Sequence, residues 1–136
     1  MDEPSTYRIS VKAIVVEDDR FLLTLEDNGM WEFLGGGIDY EEDPIACLKR
    51  EVHEESGLTI TKISPTPKYF VTFKRWKIDK QGANVIYEVK LKDYSFIPSD
   101  ECQELRFFTI EEARKEKLHH NVEQFLKVFD PKLHNN

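Results

Sequence analysis

Three consecutive glycines at residues 35–37 carry an apolar segment, Trp31-Glu32-Phe33-Leu34, into a helix that the sequence bounds at both ends. Asp43 is an N-cap, because its carboxylate can accept from the open N–H groups of a first turn. Pro44 follows as the first helical residue, where a missing N–H costs nothing. Gly57 ends the helix, since glycine readily takes the left-handed backbone of a C-terminal cap. A strand, a glycine turn and a helix of fixed length in succession leave few architectures open.

The last two turns of this helix carry Arg50, Glu51, Glu54 and Glu55. At about 100° per residue, Ile45, Leu48 and Val52 form the stripe that must be buried. Glu51, Glu54 and Glu55 share the adjoining face. Like charges at i,i+3 and i,i+4 destabilise a helix, and negative charge near a helix C-terminus does so as well. A divalent cation would reverse both penalties. An oxygen donor set without Cys or His favours Mg²⁺, or Mn²⁺, over zinc. Arg50 stands i,i+4 from Glu54 and can orient it.

The flanking chain reads as strands and two later helices. Residues 8–16 alternate, with Ile9, Val11, Ala13 and Val15 on one side and Ile14 and Val16 making the other side apolar. Residues 21–25, 31–34, 58–63, 69–78, 84–91 and 105–108 are the further strands expected, with turns at Asp27-Asn28-Gly29 and Gln81-Gly82. Thr109 and Glu112 have the spacing of a capping box. A last helix places Val122, Phe125, Leu126 and Phe129 on one stripe. This order predicts an α/β (α+β) architecture with a mixed sheet between helices. At 136 residues one domain over 1–136 is expected, with an ordered core of about 7–130 and loose ends at residues 1–6 and after Pro131.

The net charge of −7 disfavours a protein that coats nucleic acid or an anionic membrane. No apolar run is long enough to span a bilayer and no signal peptide is visible, so no membrane partner is expected. Cys47 and Cys102 fit neither a zinc spacing nor a disulfide framework, which points to reduced thiols in a cytoplasmic protein.

The pattern over residues 36–58 resembles the signature of the Nudix hydrolases. That signature is a glycine, five residues, a glutamate, seven residues, Arg-Glu, an aliphatic residue, any residue, Glu-Glu, any residue, a glycine and an aliphatic residue. Gly36, Glu42, Arg50, Glu51, Val52, Glu54, Glu55, Gly57 and Leu58 fill every fixed place. The resemblance implies an α/β/α sandwich and Mg²⁺-dependent hydrolysis of a diphosphate bond in a nucleoside diphosphate linked to another group. Nucleoside triphosphates, oxidised nucleotides, ADP-ribose and dinucleoside polyphosphates fall in that class.

By the same likeness Glu51, Glu54 and Glu55 match metal-binding carboxylates, and the Gly35 carbonyl matches a backbone metal ligand. Arg50 matches an orienting arginine and Glu42 a supporting glutamate. The general base is open between Glu101, which stands six residues before Phe107, Glu104, and Glu51 itself. Relatives are often homodimers, but nothing in this sequence fixes an interface. One departure is Leu34, where many relatives have proline. The alternative function is a Nudix-fold binding or regulatory module, which usually lacks box glutamates that this chain keeps. Isopentenyl diphosphate isomerisation is disfavoured, because no cysteine precedes Cys47.

Several other residues read as structural. Cys47 is expected as a half-buried filler beside the carboxylates, and His53 as exposed. His119 and His120 belong to the junction before the last helix. Phe70 and Trp76 share one strand parity and Phe73 the other, so they cannot all line one pocket. Lys74, Arg75 and Lys77 are a solvated cluster or a contact for substrate phosphates.

Overall fold

The computed structural model describes residues 5–134. The chain forms β1 (Tyr7–Ile14), β2 (Val16–Glu17), β3 (Arg20–Leu25), β4 (Trp31–Glu32), β5 (Leu34–Gly37), α1 (Pro44–Ser56), β6 (Ile60–Ile63), β7 (Tyr69–Lys74), β8 (Gln81–Leu91), β9 (Glu104–Phe108), α2 (Ile110–Ala113) and α3 (His120–Leu126). A 3₁₀ turn, Pro131–Leu133, follows. The larger sheet runs β5-β1-β8-β6, with β7 beside β6 on the same edge of β8. β1 and β8 are parallel and the other pairs of this sheet are antiparallel. A smaller antiparallel sheet joins β2, β3, β4 and β9. The expected α/β arrangement with a mixed sheet flanked by helices is what the chain adopts.

Alternation along β1 builds both cores. Val11, Ala13 and Val15 pack with Leu48 and Val52 of α1, while Ile14 and Val16 pack with Val122 and Phe125 of α3. Phe125 is the hub of the second core, in edge contact with Phe21, Phe33 and Tyr69. Such aromatic pairs add to the burial term by about 0.5–1.5 kcal/mol each. Among the described residues no helix is long and apolar enough to cross a membrane.

Two expected strands each divide between the sheets. The chain leaves the larger sheet after Ile14 and resumes as β2 in the smaller one. Likewise β4 pairs β3, and β5 pairs β1, with the fully buried Phe33 at the crossing. The expected strand 69–78 ends at Lys74, and a turn occupies 75–80. Gln81-Gly82, expected as the turn, instead opens β8. Gly82 lies opposite Phe73, and a Cβ there would meet the Phe73 ring at 2.5 Å. The glycine makes room for an aromatic from the next strand.

The C-terminal end also differs from expectation. Residues 1–4, 135 and 136 lie outside the described residues. Between Pro131 and His134 the chain is packed rather than loose, for His134 is 6% exposed and bonds the Tyr69 hydroxyl at 2.6 Å.

Candidate active site

α1 is built as its caps require. The Asp43 carboxylate accepts from Ala46 N at 2.9 Å, and Gly57 takes φ 73 while donating to the His53 carbonyl. Leu48 and Val52 are fully buried, whereas Ile45 is only partly covered. Cys47, expected to be half-buried, is fully buried. Burial, followed by its contact with Glu42, pushes its thiol up to about 11, which leaves it unreactive at neutral pH. His53 is exposed, as expected.

Arg50 organises the exposed carboxylates. Its Nε and Nη2 hold both Glu42 oxygens at 3.0 Å. Its Nη1 donates to Glu51 at 3.1 Å and Glu54 at 3.2 Å. The backbone N–H of Asp39 and the Arg50 guanidinium hold the Glu42 carboxyl below its ordinary range. Glu55 turns the other way, into the protein, and accepts from Gly35 N at 2.9 Å. Burial pushes it up to about 9, with the neighbouring Glu101 carboxyl adding to the rise and Lys12 and the Gly35 N–H opposing it.

The glycine turn fits closely against this row. Gly35 has φ +121, and a Cβ there would lie 2.2 Å from the Val11 carbonyl oxygen. A Cβ on Gly36 would lie 2.5 Å from a Glu51 carboxylate oxygen. The backbone therefore approaches β1 at Gly35 and the Glu51 carboxylate at Gly36 as only glycine permits. The Gly35 carbonyl accepts from Lys12 Nζ at 3.1 Å.

Glu101 reaches the row from far along the chain. Its loop is held by Ser99 Oγ donating to the Glu55 carbonyl at 2.6 Å and by Thr24 Oγ1 donating to the Glu101 carbonyl at 3.1 Å. Asp27 N also donates to the Asp100 carbonyl at 2.8 Å. Glu104 lies on β9, where Arg106 holds it at 2.8 Å. Glu101 is thus brought to Glu55, and Glu104 is occupied elsewhere.

Among the described residues no three His, Cys, Asp or Glu side chains stand in a metal-ligating group. The cause is local, since Arg50 draws Glu51 and Glu54 while Glu55 faces Gly35. The donor chemistry nevertheless fits a hard divalent cation. Three carboxylates adjoin, the thiol of Cys47 beside them is protonated, and Gly36 leaves the space that Glu51 uses.

Beside the row lies a cavity of about 380 Å³, on the face of the larger sheet opposite α1. Lys12, Glu32, Asn84 and Asn121 form its polar floor, and Phe73 and Trp76 are among its walls. Trp76 shares this cavity with Phe73 because it stands in the 75–80 turn, where strand parity no longer applies; Phe70 points away and is exposed. Arg75 also lines the cavity, while Lys77 lies over the Trp76 ring at 4.4 Å. His119 is the N-cap position of α3 and His120 its first residue, at the expected junction, and both border the cavity.

A polar relay crosses the floor. Asn121 Nδ2 donates to Glu32 Oε1 at 2.6 Å and to Asn84 Oδ1 at 2.7 Å. The Glu32 carboxylate can only accept, so it fixes the Asn121 amide, which in turn fixes that of Asn84. Asn84 Nδ2 is left buried without a hydrogen-bond partner. The sequence reading missed all four floor residues. The available signal was a polar residue, Lys12 or Asn84, interrupting a strand apolar on both faces.

A MutT-like protein of Streptomyces ambofaciens is 39% identical over 59 residues, 42% of this chain and 38% of that protein. An RNA pyrophosphohydrolase of Methylococcus capsulatus is 38% identical over 60 residues, 43% of this chain and 31% of that protein. The aligned stretches therefore span well under half of these curated relatives. A MutT NUDIX hydrolase from Burkholderia pseudomallei has a similar solved structure, with TM-score 0.73 and 20% identity over 92% of this chain and all of that one. The domain model described as NUDIX domain matches residues 6–129, and the chain belongs to that family.

Proposed function

We propose that this chain hydrolyses a diphosphate linkage in a nucleotide-derived substrate, with Mg²⁺ held by Glu51, Glu54 and Glu55. The observation that carries the reading is the approach of Glu101 to Glu55 of α1, with Lys12 linking the adjoining Gly35 turn to a cavity large enough for a nucleoside. Magnesium bound there would supply a lowered pKa for water and neutralise charge on phosphate oxygens. Mn²⁺ suits the same oxygen set.

The chain's own residues do the rest. Arg50 holds Glu42, Glu51 and Glu54 in one network and sets their directions. Glu101, on a pinned loop, takes a proton from the attacking water as general base. Phe73 and Trp76 offer ring faces to a base. The unpartnered Asn84 amide asks for an acceptor on the ligand, such as a base carbonyl.

The test is phosphate release with Mg²⁺ across nucleoside triphosphates, oxidised nucleotides, ADP-ribose, dinucleoside polyphosphates and 5′-triphosphate RNA. The wild type is expected to cleave at least one nucleotide, and Glu54→Gln to lower kcat by about 100-fold or more, the scale of losing a key electrostatic contact. Inactivity of the wild type with retained nucleotide binding would favour a binding or regulatory module instead.

A further inference from the structure

Lys12 is a buried lysine in the polar floor of the cavity. It faces the same side of β1 as the buried Ile14, and its side chain is only 9% exposed. Burying an ammonium costs several kcal/mol unless it is paired and hydrogen-bonded. The pairing runs in two directions. Toward the cavity, Nζ stands 3.8 Å from Glu32. Toward the carboxylate row, it donates to the Gly35 carbonyl at 3.1 Å. That carbonyl has little freedom, because Gly35 is the β1 register partner of Lys12 and lies against the Val11 carbonyl.

We propose that Lys12 is a positioning residue whose ammonium takes the place of a cation at the Gly35 carbonyl, so that divalent metal is held here by side-chain carboxylates alone. The proposal rests on the reading of Glu51, Glu54 and Glu55 as a metal site. An ammonium and a small divalent cation compete for the same oxygen, and each repels the other. The lysine is part of the chain and sits there before any metal arrives. It also ties the cavity to the carboxylate row through one side chain. The consequence is a site with fewer or weaker divalent ions than its carboxylates alone would hold, and with one permanent positive charge at its inner end.

The test uses Mn²⁺ without substrate. Crystals of the wild-type protein soaked in Mn²⁺ are examined by anomalous scattering. In parallel, free Mn²⁺ is titrated by electron paramagnetic resonance against wild type and Lys12→Met. The wild type is expected to hold Mn²⁺ on glutamate oxygens with Lys12 still on the Gly35 carbonyl. Lys12→Met is expected to bind Mn²⁺ at least about tenfold more tightly, about 1.4 kcal/mol, or to gain an ion on Gly35. Mn²⁺ on the Gly35 carbonyl of the wild type, with Lys12 displaced, would overturn the proposal. So would unchanged or weaker Mn²⁺ binding by a folded Lys12→Met. If that variant does not fold, the wild-type crystals decide alone. A wild type with no Mn²⁺ at Glu51, Glu54 or Glu55 would sink the metal-site reading itself, a result distinct from Mn²⁺ on Gly35.

Discussion

The Ser99 hydroxyl donates to the main-chain carbonyl of Glu55 at 2.6 Å, across 44 residues of sequence. It caps a carbonyl in the last turn of α1, where carbonyls lack helical partners, and it brings the Glu101 loop to the carboxylate row. Ser99 Oγ also accepts from Glu101 N at 3.3 Å. One hydroxyl thus sets the distance between the helix and the proposed base.

Glu101→Gln is expected to lower kcat by about 100-fold or more, the lower end for removal of a general base. Ser99→Ala is expected to lower kcat by about tenfold through misplacement and to cost about 1–2 kcal/mol of stability for the carbonyl left open. Steady-state kinetics with urea denaturation checks both. A kcat for Glu101→Gln within about threefold of wild type, a barrier change of only ~0.65 kcal/mol, would remove Glu101 from the mechanism.

Asn84→Leu separates binding from stability. The substitution removes a buried amide that has no partner, and it also takes an acceptor from Asn121. These effects oppose each other, so stability should change by less than about 1 kcal/mol. If the amide meets the substrate, KM should rise about tenfold or more while kcat stays within about threefold, because a site built around a hydrogen bond loses it when the donor goes. An unchanged KM would place the base elsewhere.

The contrast between these two regions explains what the sequence could disclose. The α1 carboxylates were legible because cap, stripe and charge are neighbours along one helix. Their facing was correct, yet Glu55 turned inward, since the space beneath it is set by Gly35 from another element. The cavity was not legible, because Lys12, Glu32, Asn84 and Asn121 come from β1, β4, β8 and α3. Their meeting is a property of sheet register, which local patterns do not give. Gln81-Gly82 misled for a related reason. The glycine serves Phe73 across the sheet, and Trp76 joined the cavity once the turn moved to 75–80.

His119 gives a pH dependence of stability. Its Nε2 lies 2.6 Å from Glu26 Oε1. Burial lowers its pKa, but the Glu26 bond and the fields of Glu32 and Glu26 outweigh burial, so the folded value is raised. The stabilisation is therefore fully present below the unfolded value of about 6.5 and is lost as pH rises through the folded value. Glu32 and Lys12 face the same imidazole, with Lys12 opposing the rise. His119→Gln should flatten this slope, so that it costs more stability at about pH 6 than at about pH 9. Urea denaturation across that range would show it, and a pH-independent cost would contradict it.

His134 closes the far end of the second core. Tyr69 Oη meets its Nε2 at 2.6 Å, and the two rings stack at 5.6 Å with 30° between planes. Its Nδ1 stands 3.1 Å from Glu88, off the hydrogen-bonding direction. Phe129 packs on the same imidazole at 5.7 Å. Tyr69 begins β7, the strand that carries Phe73 to the cavity wall. His134→Ala leaves a buried hydroxyl with poorer partners and a cavity against two rings, so a loss of about 2–4 kcal/mol is expected. His134→Phe keeps the ring contacts and loses only the bond, so it should lose about 1–2 kcal/mol. Neither should change kcat by more than about twofold, a barrier change of only ~0.4 kcal/mol, since the imidazole bonds Tyr69 and faces Glu88, and neither belongs to the carboxylate row. Equal losses for the two variants would mean that the hydrogen bond, and not the packing, holds the tail.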